Sequence, residues 1–157
     1  MIDEQGYRAN VGIILSNTEG QVYWGHRPGY SEAEGWQFPQ GGIKLNEAPM
    51  DAMYRELHEE IGLLPEDVII LGQTHEWLTY EFGMTKLNSK GERYIGQKQI
   101  WFLLRLIGPE SHIKLTCAKK PEFDAWHWVD YDYPLKHVVI FKREVYKQAL
   151  AALSQYL

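Results

Sequence analysis

The sequence predicts an α/β fold in which a mixed β-sheet lies between helices. Three observations carry this: an amphipathic helical stripe in mid-chain, a second near the end, and strand-like apolar runs around them without the regular alternation of strand and helix that builds a parallel sheet. The 157 residues suit one domain, 1–157, and 45% hydrophobic with 24% charged residues is the balance of an ordinary globular protein, which excludes disorder as the main description.

In chain order, Val11-Gly12-Ile13-Ile14-Leu15 reads as a strand, and Asn17 to Gly20 as a turn into a second strand, Gln21 to His26. Pro39-Gln40-Gly41-Gly42 reads as a loop. Beyond it the period changes: Met50, Met53, Tyr54, Leu57 and Ile61 fall on one stripe about 100° wide, with Pro49 fit for the first helical turn and Gly62 for a left-handed stop. Val68 to Leu71 is a strand, Phe82 to Gln97 a long polar loop or flexible hairpin, and Ile100 to Ile107 a central strand apolar on both faces. Ala125 to Val129 is another strand. After Pro134, the steps Val138, Phe141, Val145, Ala149, Leu153 predict a closing amphipathic helix. Trp101, Trp126 and Trp128, inside strands, are core candidates.

Sixteen Lys and Arg stand against 21 Asp and Glu, a formal charge of −5, which argues against a protein that coats DNA or RNA through its overall field. The lone Cys117 leaves no intramolecular disulfide and reads as a buried free thiol, and six His without helical His-x-x-x-His spacing give no zinc pattern. The first residues show neither a basic nor an apolar leader region, and the longest apolar runs fall well short of the about 20 residues needed to span a bilayer. A soluble, cytoplasmic protein without membrane partners is expected.

The chemistry concentrates in Arg55-Glu56-Leu57-His58-Glu59-Glu60-Ile61-Gly62-Leu63. Glu56, Glu59 and Glu60 stand at i, i+3 and i+4, on one face beside the apolar stripe. Like charges so spaced destabilise a helix by a few tenths of a kcal/mol per pair (about 0.2–0.5), and a divalent cation removes that cost; oxygen-only ligands suit Mg²⁺ or Mn²⁺. A solvated Glu-rich face fits the same spacing. Against it, no Lys stands four residues after Glu56 or Glu59, and a glycine turn opens the segment.

Gly41, five residues, Glu47, seven residues, then Arg55-Glu56-Leu57-x-Glu59-Glu60-x-Gly62-Leu63 resembles a complete Nudix box, residues 41–63, with every specified position filled. The flanks, Gly6-Tyr7-Arg8-x-Asn10-Val11-Gly12, Trp36 to Gly42, Ile95 to Gln99 with Trp101-Phe102, Pro121-Glu122-Phe123-Asp124-x-Trp126 and Val138-Val139-x-Phe141-Lys142-Arg143, resemble the RNA pyrophosphohydrolase branch of that family, related to the diadenosine polyphosphate hydrolases. Pro28 to Gly35 and Phe82 to Tyr94 resemble it least.

The resemblance implies a Nudix-type α/β/α sandwich and assigns roles. Glu59 and Glu60, with the Gln40 carbonyl, are metal ligands; Glu56 is a further ligand or the base that orients water; Glu122 adds one more acidic group. Gly41, Glu47, Arg55 and Gly62 are structural, with Glu47 and Arg55 paired, and Asp124 reads as a turn residue. Arg8, Arg27 and Gln97 are phosphate contacts, with Lys44 a further candidate; a guanidinium suits phosphate because it donates two parallel hydrogen bonds. Tyr80, Val139, Phe141 and Lys142 are candidates for the nucleotide end, where stacking is worth about 1–3 kcal/mol per base. Phe141 equally fits the last helix's apolar stripe, and Gln97 equally caps a strand.

The implied activity is Mg²⁺-dependent pyrophosphohydrolysis, with Mn²⁺ as a possible substitute, converting 5′-triphosphate RNA ends to 5′-monophosphate and so initiating mRNA decay. Diadenosine polyphosphates or other nucleotides are the alternative substrates. A non-catalytic nucleotide- or RNA-binding module is the rival from another class, but it predicts a damaged box. The sequence names no protein partner. Setting aside Glu47, Glu56, Glu59, Glu60 and Glu122 leaves the rest of the chain formally neutral, so the negative charge marks a cation site and the expected partner is one charged RNA end or a nucleotide polyphosphate.

Overall fold

The alternation of side chains along a strand builds this molecule from its first strand outward. In the computed structural model, which describes all of Met1–Leu157, β1 spans Tyr7–Ser16. Val11, Ile13 and Leu15 point to one face and Ile14 to the other, and all four are fully buried. β2 (Val22–His26), β3 (Trp36–Gln37) and β4 (Gln40–Gly42) follow, then helix α1 (Pro49–Ile61), β5 (Val68–Gln73), β6 (Leu78–Leu87), β7 (Arg93–Leu106) and β8 (Ala125–Val129). A short helix α2 (Tyr133–His137) and α3 (Arg143–Leu153) close the chain.

All eight strands join one mixed sheet. β1 runs parallel to β7 from Tyr7 opposite Gly96 to Ser16 opposite Arg105. β5 and β6 pair antiparallel to β7, β2 carries β3 and β8, and β4 lies antiparallel on β1 with Gly12 opposite Gln40. On one face, Ala52, Met53, Leu57 and Ile61 of α1 pack against Val11, Ile13, Phe102 and Leu104; on the other, Val145, Tyr146, Ala149 and Leu153 of α3 pack against Ile14, Trp24, Trp101 and Leu103. This is an α/β/α sandwich. No helix is long and apolar enough to cross a membrane.

α1 begins at Pro49 and stops at Gly62, whose φ of 79° is left-handed, as its sequence predicts. Gly12 is required for another reason: a Cβ there would meet the buried Trp101 ring at 2.5 Å.

Four expectations change. Gln40-Gly41-Gly42 is a short strand, because β1 offers it backbone partners. Residues 82–97 take the hairpin form of the two expected: β6 and β7 pair from Leu78–Gln99 to Leu87–Arg93 with one register shift. The closing helix starts at Arg143; Val138 is buried ahead of it, and Phe141 lies in a 3₁₀ turn, Ile140–Lys142, off the α3 stripe. Cys117 is exposed. Trp101 is buried in the core on the α3 face, whereas Trp126 and Trp128 are only half-buried, against the core on the α1 face.

Candidate active site

The register of β4 on β1 brings the end of β4 beside the start of β1, next to the buried edge of α1. Gly41 and Gly42 are what this close approach demands. A Cβ on Gly41 would overlap the Glu56 carboxylate, and one on Gly42 would overlap the Arg8 guanidinium. Neither glycine has a positive φ, so their value here is space and not backbone freedom.

Arg55 organises the loop that follows. Its Nε donates to Glu47 Oε2 at 2.8 Å, its Nη2 to Glu47 Oε1 and to the Gly42 carbonyl, both at 2.8 Å, and its Nη1 to Glu56 Oε1 at 2.7 Å. The guanidinium holds the Glu47 carboxyl down at about 2. Its remaining reach goes to Glu59, 3.5 Å away.

The three helix carboxylates are therefore not equivalent. Glu56 and Glu60 are 8% and 5% exposed, while the Glu59 side chain is 47% exposed and turned toward Arg55. Burial raises the Glu56 carboxyl against the pull of Arg55. Burial raises Glu60 much further, reinforced by the charges of Glu56 and Glu122, although the Gln40 N–H opposes this. Glu60 Oε2 has no hydrogen-bond partner at all.

A buried carboxylate with an orphaned oxygen and two acidic neighbours is a site short of positive charge, and its donors are all oxygen. That chemistry fits a hard divalent cation. No three His, Cys, Asp or Glu side chains form a ready-made cage. The fit is to the habit of Mg²⁺, which takes one or two carboxylates and completes its shell with water and phosphate oxygens.

Above Glu56 and Glu60 lies a polar cavity of about 360 Å³ that also receives Arg8, Arg27, Gln40, Tyr80, Gln97, Glu122, Phe141 and Lys142. The Arg8 guanidinium forms no ion pair and rests 6.0 Å from the Tyr94 ring. Arg27 Nε stands 3.8 Å from Glu122. Tyr80 is buried; its hydroxyl accepts from Gln97 Nε2 at 2.7 Å and Gln40 Nε2 at 3.3 Å, and the Phe141 ring lies 5.9 Å away. Gln97 thus bonds a side chain and not the strand end. Lys142 Nζ, buried and pushed down to about 8, donates to Gln37 Oε1 and Gln40 Oε1.

An adjoining apolar cleft of about 370 Å³ is walled by Arg27, Tyr30 and Trp36 of the β2–β3 stretch and by Val139, Phe141 and Lys142 of the segment before α3. Val139 and Phe141 are 50% and 43% exposed, which suits a binding surface and not a core. Glu47, Gly62 and Glu59 lie outside both cavities, and Lys44 lies in a neighbouring one of about 770 Å³ with Arg8 and Lys90. Sequence reasoning missed Gln37, His26, Tyr30, Lys86 and Tyr94. Gln37 alone left a signal: a polar residue between Trp36 and Phe38.

A cation-seeking carboxylate helix thus follows the short strand Gln40–Gly42, with its two glycines, and packs on a mixed sheet. The NUDIX domain profile matches residues 6–149, and the chain belongs to that family. It is of the hydrolase class that acts on phosphoric anhydride bonds with a divalent metal. Among curated relatives, an RNA pyrophosphohydrolase of Halorhodospira halophila is 52% identical over all of this chain and 85% of its own length. One of Francisella tularensis is 51% identical over all of this chain and 99% of its own. Among solved structures, the Escherichia coli dihydroneopterin triphosphate pyrophosphohydrolase shares the fold at a TM-score of 0.68 and 16% identity, covering 93% of this chain and 98% of that one.

Proposed function

We propose that this protein hydrolyses the 5′-triphosphate end of RNA to a 5′-monophosphate, with Mg²⁺ as its ion and Mn²⁺ as a substitute, in the cytoplasm. The observation that carries the reading is the orphaned, buried Glu60 carboxylate on the floor of a polar cavity bordered by Arg8, Arg27 and Lys142. The relatives' names support the choice of RNA as substrate.

In this reading Glu60 and Glu56 are the principal ligands, with Glu59, Glu122 and the Gln40 carbonyl completing the set. A divalent cation held by these groups would supply positive charge for the phosphate oxygens and would make an attacking water more acidic. Glu56, raised by burial yet hydrogen-bonded to Arg55, is placed to orient that water and take its proton. Arg8, free of any acidic partner, grips phosphate oxygens with its planar fork, and Arg27 does so beside Glu122. Lys142 adds charge from below, and Phe141 with Val139 offers the apolar surface for a base. The water oxygen joins phosphorus as an anhydride bond breaks, and 5′-monophosphate RNA leaves together with either one pyrophosphate, from a single cleavage, or two phosphates, from two successive cleavages.

Incubation with Mg²⁺ and 5′-triphosphate RNA labelled at the γ position tests this. Label release by wild type and its loss in Glu60→Gln are expected; no release overturns the activity, and release surviving Glu60→Gln overturns the site. A larger kcat/KM for diadenosine tetraphosphate than for the RNA would reassign the substrate.

A further inference from the structure

The segment between β2 and β3, residues 27–35, forms the Arg27–Tyr30 wall of the apolar cleft. The Arg27 guanidinium stands 5.2 Å from the Tyr30 ring centroid, and Nη1 donates to the Tyr30 hydroxyl at 3.4 Å. Tyr30 in turn lies on Gly35, where a Cβ would come within 2.6 Å of it and φ is +79°.

At the root of this wall sits His26, only 7% exposed. Its Nδ1 is 2.6 Å from Asp124 Oδ1, and its Nε2 is 2.7 Å from the Ser31 carbonyl oxygen. Both partners are acceptors without a proton to give. A neutral imidazole carries one N–H, so one of the two contacts would set a lone pair against a lone pair at under 3 Å. Both contacts are satisfied only when both nitrogens donate. Asp124 also donates its own N–H to the His26 carbonyl at 2.9 Å, and Phe123 beside it is fully buried under Gly25. The limb that carries Glu122 is thereby fixed at Asp124, and the loop that carries Tyr30 is fixed at Ser31.

We propose that His26, as a doubly donating imidazolium, is a positioning residue that staples the Arg27–Tyr30 wall to the Glu122 limb and so sets the fit of the cleft for a nucleobase. The nucleobase rests on the function proposed above; the staple rests on geometry alone. The groups facing His26 are Asp124 from the segment before β8, the Ser31 carbonyl and Glu34 backbone from its own loop, and the Trp36 ring of β3 at 5.1 Å, whose far face stacks on His127 at 4.6 Å. Its charged chain neighbour, Arg27, is directed to Glu122. The hydrogen bonds that the ring donates to Asp124 and then to the Ser31 carbonyl raise the imidazole's proton affinity above the usual value, in keeping with the charged form.

Steady-state kinetics and ¹⁵N NMR of the full chain test it. In wild type at pH 7.5, above the ordinary imidazole value of about 6.5, both ring nitrogens of His26 should carry protons; a single neutral tautomer there overturns the staple, and this reading needs no variant. His26→Gln, which turns an oxygen toward one acceptor, should raise KM for 5′-triphosphate RNA about fivefold with kcat within about twofold, and His26→Arg, which keeps charge and two donors, should restore it. On RNAs lacking the base at the first or second nucleotide, the variants should converge with wild type on the RNA whose missing base is the one the cleft holds. A wild type indifferent to both missing bases overturns the nucleobase reading of the cleft; a wild type that discriminates, with His26→Gln discriminating equally, overturns the role of His26 while the cleft stands.

Discussion

Gly41 lies so close against the Glu56 carboxylate that no other residue fits at that position without moving the acid. Its neighbour Gly42 stands in the same relation to Arg8. Two adjacent glycines thus make room for the two opposite charges on which the proposed reaction depends.

Gly41→Ala is accordingly expected to lower kcat by at least about tenfold, since it displaces the group that orients water. Gly42→Ala should act chiefly on KM through Arg8. Steady-state kinetics on triphosphate RNA separates the two; equal effects on both parameters in both variants would refute the assignment.

Glu60→Gln is expected to abolish turnover, by about 100-fold or more, while stabilising the metal-free protein by about 1 kcal/mol, because it removes an uncompensated buried charge. The proton balance points the same way. Glu60 binds its proton more tightly folded than unfolded, so ionising it opposes folding, and the metal-free wild type loses stability as pH rises above the ordinary carboxyl range. Thermal unfolding in EDTA and in Mg²⁺ checks both: Mg²⁺ should raise the wild-type Tm and leave that of Glu60→Gln nearly unchanged.

Glu47 behaves oppositely. Its carboxyl is held at about 2, against an ordinary 4.5, first by Arg55 and then by the Lys44 N–H. Its stabilising contribution is complete above pH 4.5 and is lost as pH falls toward 2. Glu47→Gln should cost about 2 kcal/mol at pH 7 and progressively less in acid. Urea titrations across that range measure the gap; a gap independent of pH would contradict the pairing.

Phe141→Ala and Val139→Ala, both at exposed positions, should change stability by less than about 1 kcal/mol and raise KM several-fold. Val138→Ala, 2% exposed, should instead cost about 1–3 kcal/mol with a smaller effect on KM. Paired denaturation and kinetic measurements on the three would reveal any exchange of roles.

What the chain discloses before folding depends on how local the cause is. α1 is legible because its start, stripe and stop are all written within 14 residues, Pro49 to Gly62. The start of α3 is not: Val138, Phe141 and Val145 keep a helical spacing across a backbone that turns at Val138–Lys142. Spacing also groups Glu59 with Glu56 and Glu60, but Arg55 draws it outward, which no periodicity conveys. The box carboxylates and the flanking Arg8, Arg27, Phe141 and Lys142 could be named from motif and resemblance. Gln37 left only its polar place between Trp36 and Phe38 as a signal, and His26 left none, since each matters through a partner far along the chain: Lys142 is 105 residues from Gln37, and Asp124 is 98 from His26.

The charged groups of the central cavity share its lining with a different kind of group: the amides of Gln37, Gln40 and Gln97 and the phenol of Tyr80, joined by hydrogen bonds through Tyr80 and Lys142. Amides do not titrate, and burial raises the Tyr80 phenol away from neutral pH. The acids and the lysine can change protonation with their surroundings while the amides and the phenol between them keep the same donors and acceptors. The site is built as a pH-responsive surface on a pH-indifferent foundation, so that acidity adjusts its charge without redrawing its shape.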